Sequence, residues 1–165
     1  MNTRDVSVKY AKFAAIVVLV VLLDQITKMM VLRMIPEYQR IVVIPGFFNL
    51  THVHNPGGAF GFLAQNSGVW RHWLFLGAAF FALGVILYCY HHTPKTLPWL
   101  AGSLAMIFGG AVGNTIDRIR FGEVVDFLDV YIASYHWPTF NVADSAVSVG
   151  IGIFILHILL KKMPF

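Results

Sequence analysis

The stretch that decides the fold is Phe13-Ala-Ala-Ile-Val-Val-Leu-Val-Val-Leu-Leu23, an uninterrupted apolar run. It forms the centre of a longer apolar segment, about 10–32, which carries the polar turn Asp24-Gln-Ile-Thr-Lys28 towards its far end. About 20 apolar residues are enough for a helix to cross a bilayer. Basic residues precede the run, but no small-residue cleavage site follows it, so we expect a retained helix and not a cleaved signal peptide.

Three further apolar segments have a similar length. They lie at about 70–90, 97–116 and 142–160, and the fourth carries Asp144 in its first turn. The pattern predicts four transmembrane helices in one integral membrane domain that covers residues 1–165. The two longest connections, about 33–69 and 117–141, then lie on the same side of the membrane.

The composition excludes an ordinary soluble globule. Hydrophobic residues make up 58% of the 165-residue chain, charged residues make up 12%, and the mean hydropathy is +0.70. The net charge of +4 does not indicate a nucleic-acid partner, because the basic residues are scattered and form no stripe. The one cysteine cannot form an internal disulfide.

The basic residues predict the orientation of the chain. Those near the two termini and the short 91–96 connection are packed densely beside the apolar segments, whereas the others are spread over the two long connections. By the positive-inside rule we expect cytoplasmic termini, with both long connections on the outer face.

The first long connection predicts a small β element. Arg40–Ile44 and Phe47–His54 are rich in β-branched and aromatic residues and flank a Pro45-Gly46 turn signal. The second connection contains the apolar run Val124–Val130. We therefore expect an all-α membrane protein of four helices with a small β-rich cap on the periplasmic side.

Asp126 is the acid that the sequence explains least easily. It lies in Val124-Val-Asp-Phe-Leu128, and strand alternation puts Val124, Asp126 and Leu128 on one face. A carboxylate at the edge of hydrocarbon is costly, so it requires a reason. One reading is a strand-end acid paired with Arg118 or Arg120, and the other is acid–base chemistry with a second carboxylate.

Asp144 is the second candidate, and it has a structural alternative. Asn141 followed three residues later by Asp144 is typical of a capping arrangement at a helix start. An acid in this position also suits the helix dipole. Capping and catalysis are compatible, and the segment by itself leaves both open.

Two polar sets accompany the helices. Asp24 and Lys28 are four residues apart and predict a structural ion pair, with Lys28 extending outward to the interface. In the third segment, Ala105, Gly109 and Gly113 form a small-residue ridge for helix packing. The opposite face carries a predicted polar network of Asn114, Asp117 and Arg118, together with Gly110.

The motif Asn55-Pro-Gly-Gly-Ala-Phe-Gly61 first of all indicates a turn. Its glycines, Gly57 among them, also permit close approach of another backbone, and Asn55 supplies both donor and acceptor groups. His52 and His54 precede it and are too few for a metal site, so we expect surface histidines and no metal.

Together these segments resemble the lipoprotein signal peptidases (signal peptidase II). The resemblance covers nearly the whole chain and follows the family's order of motifs: Asp24–Lys28, Asn55–Phe60, Gly109–Arg118, Val124–Phe127 and Phe140–Ser145. The family pattern is looser around Asn55, where Pro56 and Gly58 are choices of this chain.

The resemblance implies an aspartic endopeptidase of the bacterial inner membrane, without a cofactor. Its substrates would be prolipoproteins that carry diacylglycerol on a cysteine, and the enzyme would cut just before that cysteine. The implied partners are this substrate and membrane lipid, with no obligate protein partner. Asp126 and Asp144 match the catalytic pair by position, and six more residues match its surroundings: Asn55, Gly110, Asn114, Arg118, Asn141 and Ala143.

Two other function classes remain open at this point. Intramembrane acids also mark ion- or proton-coupled transporters, although that class favours acids near mid-span and inverted repeats. A non-catalytic assembly factor would tolerate the loss of either aspartate. The peptidase interpretation requires Asp126 and Asp144 to meet, which only the tertiary fold can bring about.

Overall fold

The computed structural model describes residues 3–57 and 69–160. Four helices and four strands follow one another along this part of the chain. They are α1 (Thr3–Met34), β1 (Arg40–Ile44), β2 (Phe48–Asn55), α2 (Val69–His92), α3 (Pro98–Phe121), β3 (Val124–Ile132), β4 (Tyr135–His136) and α4 (Val142–Leu159).

All four helices are long and apolar enough to cross a membrane, which confirms the four predicted spans. The predicted end of the third span at residue 116 is too early, since α3 continues to Phe121. Asp117 does not end the helix because its side chain is buried in a polar cluster. The helix ends at Gly122, which adopts a left-handed φ of 79° and donates its N–H to the Arg118 carbonyl oxygen.

The predicted β1–β2 hairpin is also present. Its turn has Gly46 at φ 79°, and the Phe47 N–H donates to the Ile44 carbonyl oxygen at 3.1 Å. Pro45 followed by a glycine with positive φ is the pattern that a type II turn requires. The sheet order is β1-β2-β3-β4, and every pairing is antiparallel.

The pairing of β2 with β3 joins the two long connections into one cap. Asn55 lies opposite Val124, and Val53 lies opposite Asp126. Below the sheet, Val125 and Phe127 pack on Val31 and Ile35 at the end of α1. This apolar contact fastens β3 to the bundle and thereby sets the height of Asp126.

Glycines of α3 allow two helices to approach it closely, as the small-residue ridge predicts. A Cβ on Gly109 would come within 2.9 Å of the Val20 side chain, and one on Gly113 within 2.6 Å of the Asp24 carboxylate, both on α1. On the other face, a Cβ on Gly110 would overlap the carbonyl oxygen of Ala143 in α4. The backbones of α3 and α4 are therefore in near contact beside Asp144.

The expectation of two surface histidines is wrong for His52. Its ring is 6% exposed, and its Nδ1 lies 2.8 Å from the Ile35 carbonyl oxygen. His54 follows it, with 3.2 Å between the two Nε2 atoms. The cause is the β2–β3 pairing, which places this stretch of β2 in the middle of the sheet.

Candidate active site

Strand β3 holds Asp126 in a buried position between Val125 and Phe127. Its carboxylate accepts one hydrogen bond from Asn55 Nδ2 at 3.0 Å and another from Asn141 Nδ2 at 2.8 Å. Among the described residues, Arg118 and Arg120 form no ion pair with it. The alternative of a strand-end acid paired with arginine is therefore wrong, and only neutral amides hold this carboxylate directly.

Helix α4 holds Asp144 in its first turn, within a complete capping box. Asn141 Oδ1 accepts from the Asp144 N–H at 2.9 Å, while Asp144 Oδ2 accepts from the Asn141 N–H at 3.2 Å. The predicted cap is thus confirmed. The other carboxylate oxygen, Oδ1, accepts from Asn114 Nδ2 at 2.7 Å, so the cap leaves Asp144 tied to α3 as well.

Asn141 joins the two carboxylates. Its side-chain amide donates to Asp126 and its backbone N–H donates to Asp144, and the residue is fully buried. Both carboxylates also line one cavity of about 650 Å³, whose walls include Asn55 and Arg118. The fold therefore brings together the two acids that the sequence singles out.

The surroundings of Asp126 favour its protonated form near neutral pH. Burial raises the pKa of Asp126 from 3.8 to about 7, and the nearby Asp144 carboxylate raises it further. Hydrogen bonds from Asn55 and Asn141 act in the opposite direction, because they stabilise the charged form. Two carboxylates in such a position can share one proton.

Beneath this pair lies a second acidic pair that holds a lysine. Lys28 Nζ is 2.8 Å from Asp24 Oδ2 and 2.7 Å from Asp117 Oδ2, and it donates to Asn114 Oδ1 at 2.9 Å. The Asp24–Lys28 ion pair is confirmed. The outward course predicted for Lys28 is wrong, since only 2% of the side chain is exposed and the ammonium lies inside the bundle.

This lysine-centred cluster is connected to both candidate catalytic segments. Asp24 Oδ1 accepts from the Ala143 N–H at 2.9 Å, one residue before Asp144. Asp117 Oδ2 accepts from the Val125 N–H at 3.2 Å, one residue before Asp126. The cluster thereby ties the backbones that carry the two acids to α1 and α3.

Gln25 belongs to the same cluster and was missed by the sequence reasoning. Its Nε2 contacts Asp24 Oδ2 at 3.1 Å, the Gly113 carbonyl oxygen at 3.3 Å and Asp117 Oδ1 at 2.9 Å. A polar side chain directly beside Asp24 was the available signal. Spacing gave no hint of the partners, which lie far away on α3.

Arg118 connects α3 to the segment that follows β2. Its guanidinium donates to the carbonyl oxygens of Asn114 at 3.3 Å and Gly57 at 3.2 Å and lies over the Phe75 ring. The Gly57 N–H donates to Asn55 Oδ1 at 3.0 Å, which forms the expected turn and orients the Asn55 amide towards Asp126. Residues 58–61 of this motif lie outside the described part of the chain.

This geometry defines the class of protein. Four membrane-crossing helices position two amide-held carboxylates over a cavity at one end of the bundle, which is an arrangement for acid–base chemistry. Across 3–57 and 69–160, no group of three or more His, Cys, Asp or Glu side chains is placed to hold a metal.

Comparisons with known proteins agree with this class. The family model described as signal peptidase (SPase) II matches residues 16–160. The lipoprotein signal peptidase of Desulforapulum autotrophicum is 46% identical over 164 residues, which cover 99% of each chain. That of Geobacter sulfurreducens is 47% identical over 144 residues, which cover 87% of this chain and 89% of the relative.

Solved structures lead to the same result. A bacterial membrane enzyme determined by the in meso method at 2.3 Å resolution has a TM-score of 0.83 and 33% identity, with 92% of this chain and 90% of that one covered. The chain belongs to the signal peptidase II family. The predicted family and the predicted four-helix fold with a small sheet are confirmed, and the roles of the individual site residues stay predictions.

Proposed function

We propose that this protein is an aspartic endopeptidase that removes the signal peptide from diacylglyceryl-modified prolipoproteins, cutting just before the lipidated cysteine. Asp126 and Asp144 are the proposed catalytic residues. The observation that carries the proposal is Asn141, which donates one hydrogen bond to each of the two carboxylates. The names of the family and of its relatives supply the proposed substrate class.

The proposed mechanism uses one proton shared by two acids. Near neutral pH the pair carries one negative charge, because two adjacent buried carboxylates cannot both ionise cheaply. The ionised carboxylate takes a proton from water, and the water oxygen attacks the scissile carbonyl carbon. The protonated carboxyl donates to the carbonyl oxygen, so that the tetrahedral intermediate forms without a covalent enzyme adduct.

The amides that surround the pair have a specific task in this mechanism. Asn55, Asn114 and Asn141 each donate to a carboxylate oxygen, and they fix its orientation without adding a charge. A lysine or arginine in direct contact would hold both acids ionised and remove the proton that the reaction needs. Neutral donors therefore support a pair with one proton, as the raised pKa of Asp126 also does.

The proposed location is the periplasmic face of the bacterial inner membrane, with cytoplasmic termini. The cavity lies between the sheet and the first turns of α4, and its wall continues along Val147 and Ile151. Polar groups at the mouth can bind the peptide bond and the attacking water, while the apolar wall accommodates the signal helix or the acyl chains. This gradient suits a substrate that is itself anchored in lipid.

The test uses the purified full chain with a diacylglyceryl-modified prolipoprotein peptide and the matched unlipidated peptide. We expect cleavage of the lipidated peptide alone, immediately before the modified cysteine. Asp126→Asn and Asp144→Asn each lower kcat by about 10²–10⁴ or more, because each removes one participant in proton transfer. Asp129→Asn is the matched control, since Asp129 is also buried on β3 but hydrogen-bonds Asn49 and His136.

Normal processing by either folded dyad variant would exclude the proposed pair. Equal cleavage of the two peptides would retain the peptidase but exclude the lipid requirement. Intact substrate combined with proton flux through vesicles would favour the transporter class instead. Unfolding in detergent, followed for every variant, separates loss of chemistry from loss of the fold.

A further inference from the structure

A second cleft lies at the opposite end of the bundle from the carboxylates. It has a volume of about 230 Å³ and is bounded by the start of α1, the end of α2 and the start of α3. Lys12 lines it, whereas Lys28 belongs to the acidic cluster, and the 1.5 Å rise per residue of α1 separates the two by about 24 Å. The proposed peptidase mechanism does not use this cleft.

The charge of the cleft is one-sided. Its lining contains three lysines, which are Lys9, Lys12 and Lys95, and no acidic residue. Lys9 and Lys95 come from different segments and are near enough for their positive charges to repel each other. Cations crowded at the edge of a low-dielectric region attract an anion.

Lys9 has a structural task that fixes its charge in the wall. Its ammonium donates to the carbonyl oxygens of His91 at 2.9 Å and Thr93 at 2.8 Å, at the end of α2, and lies 5.0 Å from the centre of the Tyr90 ring. The Tyr90 hydroxyl donates back to the Lys9 carbonyl oxygen at 2.8 Å. Lys12 lies one turn further along α1 and is exposed.

The rest of the cleft is apolar and open. Phe13, Ile16 and Ala101 form its walls, and a Cβ on Gly102 would meet nothing within 4 Å. The start of α3 also lies here, and its N-cap Leu97 has no side-chain capping bond. Partial positive charge at an uncapped helix start adds to that of the lysines.

We propose that this cleft binds an anionic phospholipid of the adjacent leaflet, with its phosphate between Lys12 and Lys95 and an acyl chain along Ile16 and Gly102. A free phosphate ion would use the lysines but leave the apolar walls uncovered. A neutral lipid would use the walls but leave the charge unmatched. An anionic phospholipid satisfies both features of the cleft.

The test measures lipid retention by the purified full chain. The protein is exchanged into mixed micelles that contain phosphatidylglycerol and phosphatidylcholine with identical acyl chains, and native mass spectrometry counts the bound lipids. We expect the wild type to retain phosphatidylglycerol in preference. Lys12→Gln combined with Lys95→Gln should weaken this retention about 30-fold, or about 5-fold for each lysine. Arg33→Gln with Arg40→Gln removes the same charge at the other end and should change it by less than about 2-fold.

A second variant tests the apolar part without a change in charge. Gly102→Leu places a side chain in the open cleft, and we expect it to lower phosphatidylglycerol retention with both lysines intact. Gly77→Leu is its control, because Gly77 also has open space around it but lies on α2, outside the lining.

Equal retention of the two lipids by the wild type would overturn the proposal, as would full retention by the double lysine variant. Retention that Gly102→Leu leaves unchanged would exclude the acyl-chain part. Displacement of the lipid by millimolar inorganic phosphate would show a free-anion site and would also overturn it. None of these outcomes bears on cleavage by Asp126 and Asp144, so the proposed function stands or falls separately.

Discussion

The protein contains two pairs of buried aspartates in adjacent positions, and they are held in opposite ways. Asp24 and Asp117 lie on either side of the Lys28 ammonium, and both are at most 1% exposed. Asp126 and Asp144 accept their hydrogen bonds from asparagine amides and backbone and line a cavity. One residue type therefore has two uses here, and the charge of its direct partner decides which.

The contrast has a physical consequence for each pair. A lysine in direct contact stabilises ionised carboxylates, so the lower pair is a permanent anchor for the backbone of β3 and α4. Amides orient a carboxylate without neutralising it, so the upper pair can gain and lose a proton. Asn114 lies between them, since it accepts from Lys28 and donates to Asp144.

The largest expected effect comes from removal of the anchor's cation. Lys28→Met leaves two buried carboxylates without their charge partner, and we expect the free energy of unfolding to fall by about 3–5 kcal/mol. Chemical unfolding in micelles measures this loss. Lys12→Met on the same helix is the control, because Lys12 is exposed and should change stability by less than about 1 kcal/mol. Equal stability of the two variants would contradict the anchor role.

Asn141 separates the two roles within one residue. Asn141→Ser keeps an N-cap acceptor for the Asp144 N–H, but serine is too short to donate to Asp126. We expect kcat to fall by about 10²-fold, in the range of a displaced acid–base group, with stability nearly unchanged. Asn141→Ala should lose a further 1 kcal/mol or so of stability with the cap. A serine variant with normal kcat would show that the bridge to Asp126 is dispensable.

Gly110 tests the close approach of α3 and α4 beside the pair. Gly110→Ala forces its new methyl group against the Ala143 carbonyl oxygen, and we expect a loss of about 1–3 kcal/mol in unfolding free energy. Gly152→Ala is the control, since a Cβ there meets nothing within 4 Å and alanine favours the helix. If Gly110→Ala unfolds like Gly152→Ala, the two helices are further apart than described.

The smallest expected effect is a shift in pH dependence. Because the pKa of Asp126 is about 7, kcat/KM should decline above neutral pH as the shared proton is lost. Asn55→Ala removes a hydrogen bond that lowers this pKa, so the alkaline limb should move to higher pH, by about one unit or less. Asn49→Ala, which affects Asp129 instead, should leave the limb in place.

The same raised pKa predicts how stability changes with pH. Between pH 3.8 and about 7, folded Asp126 keeps a proton that the unfolded chain has released, so its contribution to stability declines as pH rises through about 7. Asp126→Asn should flatten this dependence. Unfolding curves at several pH values measure it, and an unchanged slope would place the titrating group elsewhere.

The sequence predicted the parts of this site that depend on local pattern. Apolar length located the four spans, Pro45-Gly46 located the hairpin turn, and the Asn141–Asp144 spacing located the cap. Each of these signals acts within a few residues. The family resemblance added the pairing of Asp126 with Asp144, which local pattern leaves open.

What the sequence did not predict are contacts between distant segments. Lys28 was expected to reach outward because the helix pattern shows only Asp24 as a partner, whereas Asp117 and Asn114 come from α3. Gln25 was missed for the same reason. Burial of His52 follows from the pairing of β2 with β3, which no short stretch of either strand reveals.

The hydrogen bond from the Ala143 N–H to Asp24 also has a consequence for biosynthesis. The first helix carries the acceptor and the fourth helix carries the donor, with Asn141 and Asp144 beside it. While the chain is being inserted, the three earlier helices can hold the lysine and its acids but not the reactive pair. A hydrolase built in this order stays silent in the bilayer until its fourth helix docks.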